Sequence, residues 1–211
     1  MEYEAIILDL DDTIFQTKSM EVKVFDVFFE HLFLSLKSGF NEATINEIIK
    51  DLWIYPWDSV IEKYNIPKEL IYESICVLDT MDLKLNISTY PDYHFIQQLS
   101  VPKFLVTTGL TSLQQSKINA LNIRDDFEKI VINDTFLESK TKLDIFKALV
   151  IEYDLTPEKT QVIGDNSESE IKAGNAMNMI TIQIVREATQ KGNHAKFNIH
   201  SFDNLKSLFS I

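Results

Sequence analysis

The chain is 211 residues long, with 45% hydrophobic residues, 25% charged residues, five glycines and five prolines. This length suits one large domain or a domain and a half, and the composition excludes disordered, collagen-like and low-complexity proteins. Twenty basic against 32 acidic side chains give a net charge of −12, which repels nucleic acid and anionic membranes and argues against both as partners.

We expect a cytoplasmic protein. The first apolar run, residues 5–8, is too short for the core of a signal peptide and is followed directly by acidic residues. No stretch reaches the length of a membrane-spanning helix without charges. The single cysteine, Cys76, excludes a disulfide framework and fits a reducing compartment. Because Cys76 falls within a helical pattern, we expect it to be a core residue.

Five apolar runs of strand length are spread along the chain. They cover residues 5–8, 103–107, 129–132, 160–163 and 179–185. Their apolarity is continuous rather than alternating, which is typical of strands buried on both faces of a parallel sheet. Helical patterns lie between them, so the alternation predicts an α/β fold with right-handed crossovers. The tail, residues 195–211, is predicted to add a short strand and a helix.

A long helical insert interrupts this alternation after the first strand. Apolar residues repeat there at helical spacing; Gly39 is placed to end one helix as its C′ glycine, and Asn41 is placed to cap the next. We therefore predict an α/β core of residues 1–15 and 90–211, and a helical domain of residues 16–89. The insertion point places this domain beside the carboxyl end of the first strand, where such sheets bind ligands.

Polar residues stand at the ends of several predicted strands. They are Asp9, Asp11, Asp12, Thr107, Thr108 and Asp165, with Glu170 following the last of them. Three carboxylates within four residues repel one another unless a cation or a proton shares the site, and Lys140 offers positive charge. An acidic turn, a helix cap or a surface lysine would explain each fragment alone. Their occurrence at the ends of successive elements favours one shared site.

These motifs resemble those of the haloacid dehalogenase superfamily of phosphatases and related hydrolases. The residues that carry the resemblance are Asp9-Leu10-Asp11-Asp12-Thr13, Thr107, Lys140 and Gly164-Asp165 with Glu170. The resemblance covers the whole chain, because the helical insert is similar to the cap found there in one branch of the family. It implies a Rossmann-like parallel core with a small helical cap.

Carried over to this chain, the resemblance implies that Asp9 attacks phosphorus and forms an aspartyl-phosphate. Asp11 would protonate the leaving oxygen and later act as the base for water. The residues expected to bind the phosphoryl group are Asp12, Thr107, Thr108 and Lys140. Asp9 and Asp165, with the main-chain carbonyl of Asp11, would hold Mg²⁺. Glu170 would orient water or Lys140 without binding the metal directly. Mg²⁺ and Lys140 would then balance the three negative charges of Asp9, Asp165 and Glu170.

Two positions depart from the family pattern. Glu170 stands where the family usually has Asp, and Thr141 stands where a proline commonly follows the motif lysine, so Lys142 is an alternative to Lys140. The implied function is Mg²⁺-dependent hydrolysis of a small phosphorylated metabolite, with nucleotides and sugar phosphates as candidates. The acid at Asp11 favours phosphate esters over dehalogenation. A phosphomutase using the same intermediate, and a binding or regulatory protein without turnover, are the alternatives.

Overall fold

The structure is a computed structural model that describes residues 3–54, 57–81, 83–135, 140–187 and 189–209. The chain forms two compact units, Met1–Met20 with Asn86–Ile211, and Glu21–Leu85. The first unit extends a few residues beyond the core expected from the sequence. Two contacts explain this: Thr17 donates its N–H to Asp12, and Thr89 forms an antiparallel bridge with Phe15.

The first unit contains a six-stranded sheet in which every pair of neighbours is parallel. Its strands are β1 Ala5–Leu8, β2 Lys103–Thr108, β3 Lys129–Asn133, β4 Thr160–Gly164, β5 Ile180–Ile184 and β6 Phe197–Ile199. The five predicted strands and the strand predicted in the tail are confirmed. The α/β class with a parallel Rossmann-like core is therefore confirmed.

Nine α-helices lie within the described residues. They are α1 Asp26–Leu36, α2 Glu42–Ile54, α3 Trp57–Tyr64, α4 Lys68–Thr80, α5 His94–Gln97, α6 Thr111–Leu121, α7 Lys142–Glu152, α8 Lys172–Ala176 and α9 Leu205–Phe209. A π-helix, Ser167–Ile171, precedes α8. No helix in the described part of the chain combines the length and apolarity needed to cross a membrane.

The first strand is buried on both faces of the sheet. Ile6 and Leu8 belong to one apolar cluster and Ala5 and Ile7 to another, because successive side chains of a strand point to opposite faces. The four residues are at most 1% exposed, and burial of an Ile or Leu side chain stabilises a fold by about 1.5–3 kcal/mol. The strand that leads into Asp9 is thus held rigidly from both sides.

The strand order places the acidic motifs at a reversal point of the topology. The strand order is β3-β2-β1-β4-β5-β6, so β2 and β3 lie on one side of β1, and β4, β5 and β6 lie on the other. In open α/β sheets, ligands bind at the carboxyl ends of the strands where this order reverses. Asp9 directly follows β1 and Asp165 directly follows β4, the two strands that flank this point.

The second unit is all helical within its described residues and comprises α1 to α4. Asn41 accepts the N–H of Thr44 at 3.0 Å, as expected of a cap. The prediction for Gly39 is wrong in its geometry, because α1 ends at Leu36 and Gly39 is not in the left-handed region. The prediction that Cys76 is a core residue is also wrong. Cys76 is exposed because α4 turns Ile71, Ser74, Ile75 and Leu78 inward.

Candidate active site

Asp9 lies at the centre of the candidate site. Its N–H donates to the Ile163 carbonyl at 3.0 Å, which extends the β1–β4 ladder by one residue and fixes the backbone there. The side chain is buried, and its Oδ1 accepts a hydrogen bond from Lys142 Nζ at 2.6 Å. Oδ2 is therefore the carboxylate oxygen that Lys142 leaves available for chemistry.

The lysine beside Asp9 is Lys142, which corrects the expectation that Lys140 would lie there. Thr141 is the N-cap of α7 and forms a capping box with Asp144, so the helix begins at Lys142. The first helical residue thereby points its side chain back toward the strand ends. Lys142 is 8% exposed, whereas Lys140 is exposed and its carbonyl accepts a hydrogen bond from Asn133.

Glu170 holds Lys142 from the other side. Its Oε2 accepts from Lys142 Nζ at 2.8 Å and its Oε1 accepts the Asn166 N–H at 2.6 Å. Glu170 lies in the π-helix, a wider turn that often occurs at functional sites. The side chain passes so close to Gly164 that a Cβ there would overlap it. The glycine of the Gly164-Asp165 motif thus provides the space that Glu170 occupies.

Three carboxylates converge with ligand oxygens within 4.8 Å of one another, from Asp9, Asp165 and Glu170. Burial raises the pKa of Asp9 to about 7, against the attraction of Lys142 and with added repulsion from Glu170. Burial, followed by repulsion from Asp9 and Glu170, raises the pKa of Asp165 to about 8. One lysine does not balance three carboxylates, so the site lacks positive charge.

A divalent cation fits this site. Mg²⁺ prefers carboxylate and carbonyl oxygens, and Asp9 and Asp165 offer carboxylate oxygens. Burial makes the ionised form of both side chains unfavourable, and a bound cation would offset this free-energy cost. Burial alone would lower the pKa of Lys142, but attraction to Asp9 and Glu170 raises it above its usual value. Lys142 therefore stays cationic, and with a divalent ion it would balance the three carboxylates.

Two side chains of α6 bind the Asp11 carboxylate. Its Oδ1 accepts from Lys117 Nζ at 2.7 Å, and its Oδ2 accepts from Gln114 Nε2 at 2.8 Å. Asp12 adopts a left-handed backbone with φ of 50°, and its carboxylate accepts the N–H of Thr17. Because a carboxylate cannot donate to a phosphate, Asp12 could contribute to phosphate binding only through its backbone N–H.

Thr107 and Thr108 end β2, the neighbour of β1. Thr107 is buried, and its hydroxyl is 2.5 Å from Gln114 Nε2, while Thr108 is exposed. The sequence prediction missed Gln114 and Lys117 as site residues. Leu113, Lys117, Ala120 and Leu121 are spaced to share one face of a helix, and a lysine on such an apolar face is a signal of a buried ion pair.

The model for the haloacid dehalogenase-like hydrolase family matches residues 6–184 of the chain. The chain belongs to the haloacid dehalogenase-like hydrolases. The glyceraldehyde 3-phosphate phosphatase of Methanocaldococcus jannaschii is 26% identical to it, over 99% of this chain and 96% of the relative. The motif residues of this haloacid dehalogenase-like hydrolase lie within the matched segment.

Solved structures share the fold. The hydrolase YfnB of Bacillus subtilis, crystallised with magnesium, superposes with a TM-score of 0.64 at 16% identity and covers both chains fully. A protein from Thermotoga maritima assigned as a β-phosphoglucomutase gives a TM-score of 0.58 at 16% identity, over 99% of each chain. The haloacid dehalogenase-like fold thus extends over the whole chain.

Proposed function

We propose that the protein hydrolyses a small phosphate monoester through an aspartyl-phosphate on Asp9, with Mg²⁺ as cofactor. The observation that carries this proposal is the Asp9 carboxylate at the end of β1, paired with Lys142 through one oxygen and grouped with Asp165 and Glu170. The phosphatase relative at 26% identity supports a phosphorylated substrate. The alternatives, a phosphomutase and a protein without turnover, are distinguished by the experiment below.

In the first step, Asp9 Oδ2 attacks phosphorus with its lone pair. The bond between phosphorus and the ester oxygen breaks, and Asp11, protonated for this step, gives its proton to the departing oxygen. A water then attacks the phosphorus of the aspartyl-phosphate while Asp11 takes a proton from it. The bond between phosphorus and Asp9 breaks, which restores the carboxylate and releases inorganic phosphate.

Charge neutralisation is the main requirement of this chemistry, because an anionic nucleophile approaches an anionic phosphate. Lys142 lies 2.6 Å from Asp9 and can reach a phosphoryl oxygen bound there. Asp9, Asp165 and the carbonyl of Asp11 would hold Mg²⁺, which supplies two further positive charges to the transferring group. Glu170 keeps Lys142 in place and prevents its rotation away from Asp9.

The phosphoryl group would be bound by neutral donors as well. The Thr107 hydroxyl and the backbone N–H groups that follow β2 and β1 lie at adjacent strand ends. We assign to Lys142 the role that the sequence suggested for Lys140, because Lys142 is the lysine against the nucleophile. We assign catalysis to the α/β unit, with triose phosphates and related small phosphate esters as the first candidate substrates.

The test is release of inorganic phosphate from p-nitrophenyl phosphate and from a panel of triose, sugar and nucleotide monophosphates. We expect turnover with Mg²⁺, loss with EDTA, and loss of at least about 10³-fold in kcat for Asp9→Asn. Asp125→Asn, an exposed aspartate of the same unit, is the matched control. Full activity of Asp9→Asn would exclude the proposed nucleophile. Transfer to a second hydroxyl with a bisphosphate primer would indicate a mutase.

A further inference from the structure

Gln114 connects two motifs of the candidate site. It lies on α6 and is 1% exposed. Its Nε2 is 2.8 Å from Asp11 Oδ2, 2.5 Å from Thr107 Oγ1 and 3.1 Å from the Thr108 carbonyl. The residue thus bridges the acid that follows β1 and the hydroxyl that ends β2.

The chemistry of its partners determines which way the amide faces. The Asp11 carboxylate and the Thr108 carbonyl only accept hydrogen bonds, so the amide must present its NH₂ group to them. The same nitrogen lies 2.5 Å from Thr107 Oγ1, so its two hydrogens are shared among three acceptors, and an amide nitrogen cannot itself accept a hydrogen bond. The Thr107 hydroxyl therefore acts as an acceptor toward Gln114, and its own proton is directed elsewhere.

We infer that Gln114 is a positioning residue that holds the acid of Asp11 and the hydroxyl of Thr107 in one arrangement. This inference rests on the proposed phosphatase function. By donating to Thr107, Gln114 leaves the hydroxyl proton to point at a phosphoryl oxygen. By donating to Oδ2 of Asp11, it fixes the plane of the carboxylate that Lys117 binds only through Oδ1. Met can make neither donation, and an ionised Glu cannot make them either.

The local backbone makes room for this contact. Gly109 has a φ of 149°, a conformation that L side chains rarely adopt, and a Cβ there would lie 3.2 Å from Gln114 Cδ. The turn after β2 thus approaches the amide as closely as a glycine permits. The space suits a side chain of glutamine size, and the NH₂ group of Gln114 is bonded, whereas its Oε1 is buried without a hydrogen-bond partner among the described residues.

The test compares two substrates in Gln114→Met and in the isosteric Gln114→Glu. An alkyl phosphate such as glycerol 3-phosphate needs a proton on its departing oxygen, whereas p-nitrophenyl phosphate needs it far less. General acid catalysis contributes about 10²–10⁴-fold. We therefore expect kcat/KM to fall by about 10–100-fold for the alkyl ester and by less than about 5-fold for the aryl ester. KM should change little.

Gln115→Met is the control, because Gln115 is the next residue on α6 and contacts Asn119 instead. Circular dichroism and Tm confirm that each variant is folded, and the isosteric Glu variant covers the case in which Met disrupts α6. The larger loss on the alkyl ester reports the Asp11 contact, and the smaller loss shared by both esters reports the Thr107 contact. Equal losses on both esters would overturn the positioning of the Asp11 acid, and unchanged kinetics would overturn both roles, while wild-type turnover upholds the proposed function. Inactivity of the wild-type enzyme on both esters, by contrast, would overturn the proposed function and the role of Gln114 that depends on it.

Discussion

Asp165→Asn should make the metal-free protein more stable and should abolish its stabilisation by Mg²⁺. Burial, followed by repulsion from Asp9 and Glu170, raises the pKa of Asp165 to about 8. The folded state therefore opposes ionisation of this carboxyl, which the unfolded chain permits at its ordinary pKa. Asparagine has the same shape and carries no charge, so it removes this cost and also removes the ligand.

The pH dependence follows from the sign of this shift. Below about pH 4 both states are protonated and Asp165 costs nothing. As pH rises through the interval from 3.8 to about 8, the unfolded state ionises first and folding stability falls. At pH 7 the upper bound of the cost is roughly 4 kcal/mol. Because Asp165 is only half-buried, solvent screening reduces this to about 1–2 kcal/mol, or about 3–6 °C in Tm.

Mg²⁺ should reverse the order of stability. A ligand at a hundredfold excess over its Kd stabilises the folded state by about 2.7 kcal/mol, which corresponds to roughly 5–10 °C for a chain of this length. The wild-type protein should gain this stabilisation, whereas Asp165→Asn should gain little. Asp125→Asn should respond to the metal like the wild type.

The assay is thermal unfolding by circular dichroism at pH 5.0 and 7.5, with EDTA or with saturating Mg²⁺. We expect Asp165→Asn to exceed the wild-type Tm in EDTA at pH 7.5, with a smaller difference at pH 5.0. Equal Tm values of the two proteins in EDTA at pH 7.5 would refute the electrostatic reasoning. Undiminished stabilisation of the variant by Mg²⁺ would refute the assignment of Asp165 as a ligand.

Three further predictions concern other contacts. Lys142→Met should lower kcat by about 10²-fold or more, whereas Lys140→Met should change it by less than about 3-fold; the reverse order in phosphate-release assays would contradict the assignment. Gly164→Ala should cost about 1–3 kcal/mol in urea unfolding, because its Cβ would overlap Glu170, and wild-type stability would contradict this. Asp92→Asn should cost about 3 kcal/mol at pH 7, since it leaves Arg186 buried without its bidentate partner. Burial opposes ionisation of Asp92, but hydrogen bonds from Arg186 and Phe202 outweigh it and lower the pKa. The cost should therefore be present above about pH 4 and decline only as the pH falls further, through the lowered pKa of the folded state; a pH-independent cost would contradict the ion pair.

The sequence by itself determined the sheet and the residues that follow its strands. A run such as Ala5–Leu8 is apolar at every position, which suits a strand covered on both faces and leaves few alternatives. The acids after β1 and β4 were also visible, because they directly follow such runs. Both signals are local, because each depends only on the residue types along one strand. The side chains of a strand alternate between the two faces of the sheet, so a run that is apolar throughout predicts burial on both faces.

Only the tertiary structure decided which side chains share the site. Lys140 and Lys142 are two residues apart, and the start of α7 after Thr141 selects Lys142. Gln114 is 103 residues from Asp11 in the chain, and a glutamine in a helix has no local pattern that reveals its partner. Such pairs form because parallel strands bring their carboxyl ends to one edge of the sheet, and the helices that follow those strands then contribute side chains to the same edge.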